Sequence, residues 1–246
     1  MKEIVNQLQQ QLDSVALPQT KDWWERYMKH VIPFRGARMQ DIKKQLHDVL
    51  QKNDIFNLTD REQLAVALAL FSENYAEDKL AGILYLQQHL YDRFDCDFIL
   101  SEYELLFQKE LIFDWNICDW FCVRVLGPTI EKNGRACAER IADWSNAQNV
   151  WQARCSVVAF VYIAGNSEYH PLISSSCQRL IKRPERFAKT GVGWMLREMS
   201  KINSKFVLDF LDEELAHFTT ESLRNSIKYF EKDRQRFYIQ HLKNKQ

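Results

Sequence analysis

Apolar residues recur every three to four positions along most of the chain, and no stretch keeps the period of two expected of a half-buried strand. The segment "LTDREQLAVALALF" opens with Thr59 three residues before Glu62, the spacing of a capping box, and continues at helical spacing. "AEDKLAGILYLQQHLYDRF" follows as a second amphipathic helix after a break near Asn74, and "FILSEYELLFQKELI" as a third. A helix is predicted over 114–126, with Asp114 as N-cap and Gly127-Pro128 as its stop. "ACAERIADWSN" pairs with "NVWQARCSVVAFVYIAG", which Gly165 ends. After Pro184 come "ERFAKTGVGWMLREMSKIN", "SKFVLDFLDEEL" and, capped by Thr219 or Thr220, "ESLRNSIKYFEKDRQRFYIQHL". Helices of this length in adjacent antiparallel pairs stack as an α-solenoid of the HEAT type, an all-α superhelix with a concave groove. An irregular helical bundle is the competing architecture.

Composition supports long helices with short connections. The 246 residues include 7 Gly and 5 Pro, less than half of average usage, which is about 12% for the two together. Turn-rich all-β folds and Gly-dependent phosphate loops are therefore disfavoured. The length suits a single helical-repeat domain over 1–246. The longest uncharged apolar run, Cys155 to Gly165, is far short of the roughly 20 residues a membrane helix needs. "MKEIVNQLQQQLDS" has no apolar signal core. Together these predict an intracellular, cytoplasmic protein with no membrane partner. Cys118 and Cys122 stand one turn apart, but a zinc site needs four ligands and no His lies near. Buried thiols explain them, and no metal or other cofactor is expected.

Charge changes the picture only by position. The net charge is zero, yet residues 1–150 carry 17 Lys and Arg against 23 Asp and Glu, and residues 151–246 carry 16 against 10. The surplus concentrates in Gln178–Lys205, where Arg179, Lys182, Arg183, Arg186, Lys189, Arg197, Lys201 and Lys205 face only Glu185 and Glu198. This run is either a solvated helix face or a basic surface for phosphates. Three times a Trp precedes an Arg by one turn: Trp23 and Arg26, Trp151 and Arg154, Trp194 and Arg197. The spacing puts both on one helix face, as a cation–π pair or as part of a groove offering cations to phosphates and rings to sugars or bases. Gly191 and Gly193 sit inside a helical pattern, where each costs about 1 kcal/mol relative to Ala. Close helix packing accounts for them better than direct ligand contact.

Asp119 is the conspicuous acid. It stands one turn after Trp115 within "DWNICDWFC", among Trp, Phe, Cys and Val. A lone buried carboxylate is costly. It is either a structural acid, paired with an Arg or capping a neighbouring helix, or an ionised group beside an aromatic wall. The second arrangement stabilises developing positive charge. No Ser, Cys or His nucleophile constellation, phosphate loop or HExxH motif competes.

Four motifs in order give these residues a family context: "WWERYMKHVIPFRGARMQDIKKQL", "DWNICDWFC", "NVWQARCSVVA" and "FAKTGVGWMLREMSK". Together they resemble the AlkD-like DNA alkylation-repair glycosylases, which are built from HEAT-like repeats. The resemblance implies that Trp115 and Trp194 wall the lesion's sugar and that Asp119 is the catalytic carboxylate. It places Arg154 at the DNA backbone and Tyr27 at the groove's edge, with Lys189 and Arg197 as further DNA-binding cations. Asn116 and Cys118 occupy positions that vary in the family. The implied activity is release of N3- or N7-alkylated purines from double-stranded DNA by a monomeric, monofunctional enzyme. Such a base is already cationic and leaves without a general acid. The rival expectation is a non-catalytic helical scaffold that binds DNA or an acidic protein.

Overall fold

The computed structural model describes residues 1–245, and every regular element among them is helical. The chain divides into two compact units, Met1–Val125 and Leu126–Gln246. In the first, α1 (Lys2–Ser14), α2 (Pro18–Tyr27), α3 (Met39–Lys52), α4 (Asp60–Ala69), α5 (Ala76–Tyr85), α6 (Cys96–Gln108) and α7 (Trp115–Phe121) follow in order. Helices α1, α3, α5 and α7 pack one after another, and α4 packs on α5. The predicted capping box starts α4: Thr59 accepts from the Glu62 N–H at 3.3 Å, and Glu62 accepts from the Thr59 N–H at 2.9 Å.

Helix α5 is buried at every position, including Glu77, Asp78 and Lys79. Buried charges need partners, and these acids hold the loop after α2. The Glu77 carboxylate accepts from the backbone N–H groups of Arg35 (2.9 Å), Gly36 (2.8 Å) and Ala37 (3.2 Å). Arg35 bridges Asp78 (3.0 Å) and Asp13 (2.5 Å) and lies over the Tyr75 ring. A π-helical turn over Leu86–Leu90 extends α5.

The second unit holds α8 (Gly127–Asn133), α9 (Arg135–Asp143), α10 (Val150–Val158), α11 (His170–Ile181), α12 (Arg186–Ser200), α13 (Ser204–Glu214), α14 (Thr220–Ser226) and α15 (Lys232–Lys245). Its middle is two layers. Helices α10, α12 and α14 pack in one row and α9, α11 and α13 in another, with α9 on α10, α11 on α12 and α12 on α13. That is the stacked-pair arrangement expected of helical repeats.

Two sequence expectations change here. Gly127-Pro128 is not a stop: a π-helical turn over Cys122–Leu126 leads into α8, where Pro128 occupies the first turn. Proline is tolerated there because its missing N–H has no helical partner to lose. Gly127 serves packing, since a Cβ would lie 2.5 Å from the Tyr162 Cβ. The last predicted helix is two, α14 and α15. The Gln235 side chain donates to the Lys228 and Phe230 carbonyls in the break between them.

Candidate functional site

Helix α7 is the most tightly placed of the candidate elements. Asp114 caps it, accepting from the Ile117 N–H at 3.0 Å, as its sequence position predicts. One face, Ile117, Cys118, Phe121 and Cys122, is fully buried. The Phe121 ring meets Phe71, Tyr103 and Phe107 edge-on at 5.9, 5.0 and 6.3 Å. This clamp sets the rotation of the helix. Trp115, Asp119 and Trp120 therefore fall on the flank that stays half-buried. Asp119 shares a face with Trp115 one turn away. Burial pushes the Asp114 carboxyl up to about 6, against the pull of the Ile117 and Asn116 N–H groups and of the Lys79 ammonium. The second Asp114 oxygen, Oδ2, has no hydrogen-bond partner.

An aromatic wall reaches Trp115 from α2. The Tyr27 ring meets Trp115 edge-on (5.6 Å, 78°) and stacks on Trp23 (5.0 Å, 13°). Trp24 turns the other way and stacks on Phe34 (5.5 Å, 11°). The chain leaves α2 through Lys29 and His30, both at positive φ (54° and 57°). The His30 N–H donates to the Glu25 carbonyl at 2.8 Å. Glu25 accepts from the Phe34 N–H at 3.1 Å, and Glu77 clasps the residues beyond. Glu25, Glu77 and Asp78 thus position the segment that carries Tyr27. Sequence reasoning missed them. The available signal was three charges, "EDK", opening a helix too apolar all round to be anything but core.

In the second unit, Asn149 caps α10 by accepting from the Trp151 and Gln152 N–H groups (2.9 and 3.2 Å). Arg154, 5% exposed, points into α12. Its Nη1 donates to the Phe187 carbonyl (2.7 Å) and the Thr190 hydroxyl (3.2 Å). Gly191 admits it, because a Cβ there would come within 3.2 Å of Nη1. Gly193 lets α14 approach: its Cβ would lie 2.8 Å from the Ser222 carbonyl oxygen. Both glycines serve close packing, as expected. Trp194 is half-buried with Arg197 over its ring at 5.9 Å, one of the three predicted Trp–Arg pairs.

The basic run is paired within the protein. Arg183 and Glu185, Arg186 and Glu221, Lys182 and Glu214, and Lys205 and Asp209 form ion pairs. Glu198 takes both Arg197 and Lys201. Arg179 donates to Ser145 at 3.1 Å, and Lys189 donates to the His217 carbonyl. Glu214, Glu221 and Asp209 come from α13 and α14, outside the segment that looks so cationic in sequence, and Glu185 and Glu198 from within it.

The predicted site residues therefore fall in four places. Trp115, Asp119 and Tyr27 belong together in the first unit. In the second, Arg154 is seated on α12, and Trp194 pairs with Arg197 further along that helix. Lys189 is tied to the turn before α14.

Residues 8–230 match the family model described as DNA alkylation repair enzyme. No curated protein matches the chain. Among solved structures, one described as a predicted DNA alkylation repair enzyme from Enterococcus faecalis superposes with a TM-score of 0.76 at 19% identity. The match covers 88% of this chain and 97% of that one, and at this identity it is a likeness of fold.

Proposed function

Because the chain belongs to the DNA alkylation repair enzyme family, we propose that it is a monofunctional DNA glycosylase acting on purines alkylated at N3 or N7. The observation that carries this reading is the half-buried Asp119, one helical turn from Trp115, on a helix clamped by its opposite face. An alkylated purine of this kind bears positive charge. As its N-glycosidic bond breaks, the bonding electrons neutralise the base, so no general acid is needed. The sugar becomes oxocarbenium-like. Asp119 stabilises that cation, orients the water that adds to C1′ and takes its proton. The indole face of Trp115, one turn from Asp119, adds cation–π attraction. In this reading Arg154 serves the DNA backbone, and its tie to Phe187 and Thr190 fixes the guanidinium. Tyr27 borders the lesion, and Lys189 and Arg197 serve phosphates.

Single-turnover release of 7-methylguanine from methylated duplex DNA tests the proposal. Asp119→Asn is expected to slow release by a factor on the order of 10² or more, the scale of losing one preorganised electrostatic stabiliser. A rate near wild type would remove Asp119 from the mechanism. Duplex binding without base release would instead select a second reading, a non-catalytic DNA-associated scaffold.

A further inference from the structure

Resting on that reading, we infer that Arg224 and Lys228 form a phosphate-binding surface for duplex DNA beside Trp194 and Arg197. Helix α14 follows α10 and α12 in one row. Gly193 lets it close on α12, since a Cβ there would meet the Ser222 carbonyl oxygen at 2.8 Å. From the turn after Trp194, the Arg197 guanidinium reaches across and donates to the Asn225 side-chain oxygen at 3.2 Å. Ser222, Leu223, Ser226 and Ile227 are buried, whereas Arg224 and Lys228 are exposed. Arg224 lies in the last turn of α14 and Lys228 in the turn that follows.

The cations that stand out in sequence on this part of the chain are already engaged. Lys189 donates to the His217 carbonyl, and Arg197 is shared between Glu198 and Asn225. Arg186 forks onto Glu221 at 2.7 and 2.5 Å and so matches the acid that precedes Arg224 by one turn. Arg224 and Lys228 take part in no ion pair among the described residues. Lys201, held by Glu198, and Lys228 lie over the exposed Tyr229 ring at 4.8 and 5.9 Å. The acids of this surface are Glu198, Glu221 and the exposed Glu231, and Asp233 beyond them pairs with Arg236. Arg186, Arg197, Lys201, Arg224 and Lys228 outnumber the first three. Solvated cations without acidic partners bind a polyanion by displacing its counterions. Two of them one turn apart suit successive phosphates of one strand, and an arginine takes phosphate oxygens in pairs.

The test titrates the full-length protein against a fluorescein-labelled, unmodified duplex across a salt series. Arg224→Gln combined with Lys228→Gln should weaken binding and lower the slope of log K against log salt by about two, one for each phosphate contact. Lys182→Gln combined with Lys205→Gln is the control. It removes the same charge, but from cations that Glu214 and Asp209 already hold, and should move the slope by less than about half a unit. Equal changes of slope in the two double variants, or none in the first, would overturn the surface. If the wild type releases 7-methylguanine while the Arg224 and Lys228 variant keeps the wild-type slope, the surface fails and the glycosylase reading stands. If the variant loses slope as expected but the wild type releases no base, the surface stands and the glycosylase reading falls. If the wild type neither binds nor releases, both fall.

Discussion

Asp114 and Asp119 share a helix and an ionisable group, yet their surroundings separate them. Asp119 keeps access to solvent, whereas Asp114 is buried with one oxygen on the Ile117 N–H and the other without a partner. The folded-state pKa of Asp114, about 6, lies above its ordinary 3.8. Protonation therefore favours the folded chain. Its contribution is fully present below about pH 4 and is lost as pH rises through about 6. Asp114→Asn keeps a strong N-cap acceptor and removes the titration. Between about pH 4.5 and about pH 7.5, wild type should lose roughly 2 kcal/mol relative to the variant. Urea unfolding at the two pH values measures this, and parallel pH dependence in both chains would contradict it.

At the scale of elements, helix ends decide where α2, α6 and α7 present their side chains. Helix α6 ends in a Schellman motif: the Leu111 N–H donates to the Leu106 carbonyl (2.8 Å) and the Glu110 N–H to the Phe107 carbonyl (3.0 Å). The motif puts Glu110 at φ 54°, a left-handed conformation that glycine adopts without strain. The residues after it lead directly to the Asp114 cap, so this turn aims α7. Glu110→Gly is expected to raise stability by roughly 0.5–1 kcal/mol, seen as a higher denaturant midpoint with an unchanged slope. A lower midpoint would mean that the Glu110 side chain contributes more than its backbone strain removes. The π-helical turn after α7 has the opposite character from a stop, because it carries the chain through Gly127-Pro128 without ending the helical run.

At the scale of the whole molecule, charge is the informative quantity. The chain is neutral, and of its cationic run Lys182, Arg186 and Lys205 are matched by acids from α13 and α14, and Arg183, Arg197 and Lys201 by Glu185 and Glu198 within the run. Affinity for DNA should therefore rest on a few cations rather than on a broad field. If Arg154 meets a phosphate, Arg154→Ala should weaken duplex binding and reduce the slope of log K against log salt by about one. Titrations across a salt series check this, and an unchanged slope would leave Arg154 as a packing residue between α10 and α12. No helix among the described residues is long and apolar enough to cross a membrane.

Sequence alone determined what acts within a turn or two. The 3.6-residue period marked the helices, and Thr59, Asp114 and the pair Thr219-Thr220 marked helix starts, Thr219 being the cap. The i, i+4 spacing put Trp115 and Asp119 on one face, and Gly191 and Gly193 signalled close packing. Caps, period and small residues speak through neighbours along the chain, so they are legible there. Tertiary structure decided the rest, because exposure and charge pairing depend on partners distant in sequence. It set the rotation of α7 that leaves Asp119 half-exposed, brought Tyr27 to Trp115, matched the basic run with remote acids, and buried Glu77 and Asp78 to hold the loop beyond α2.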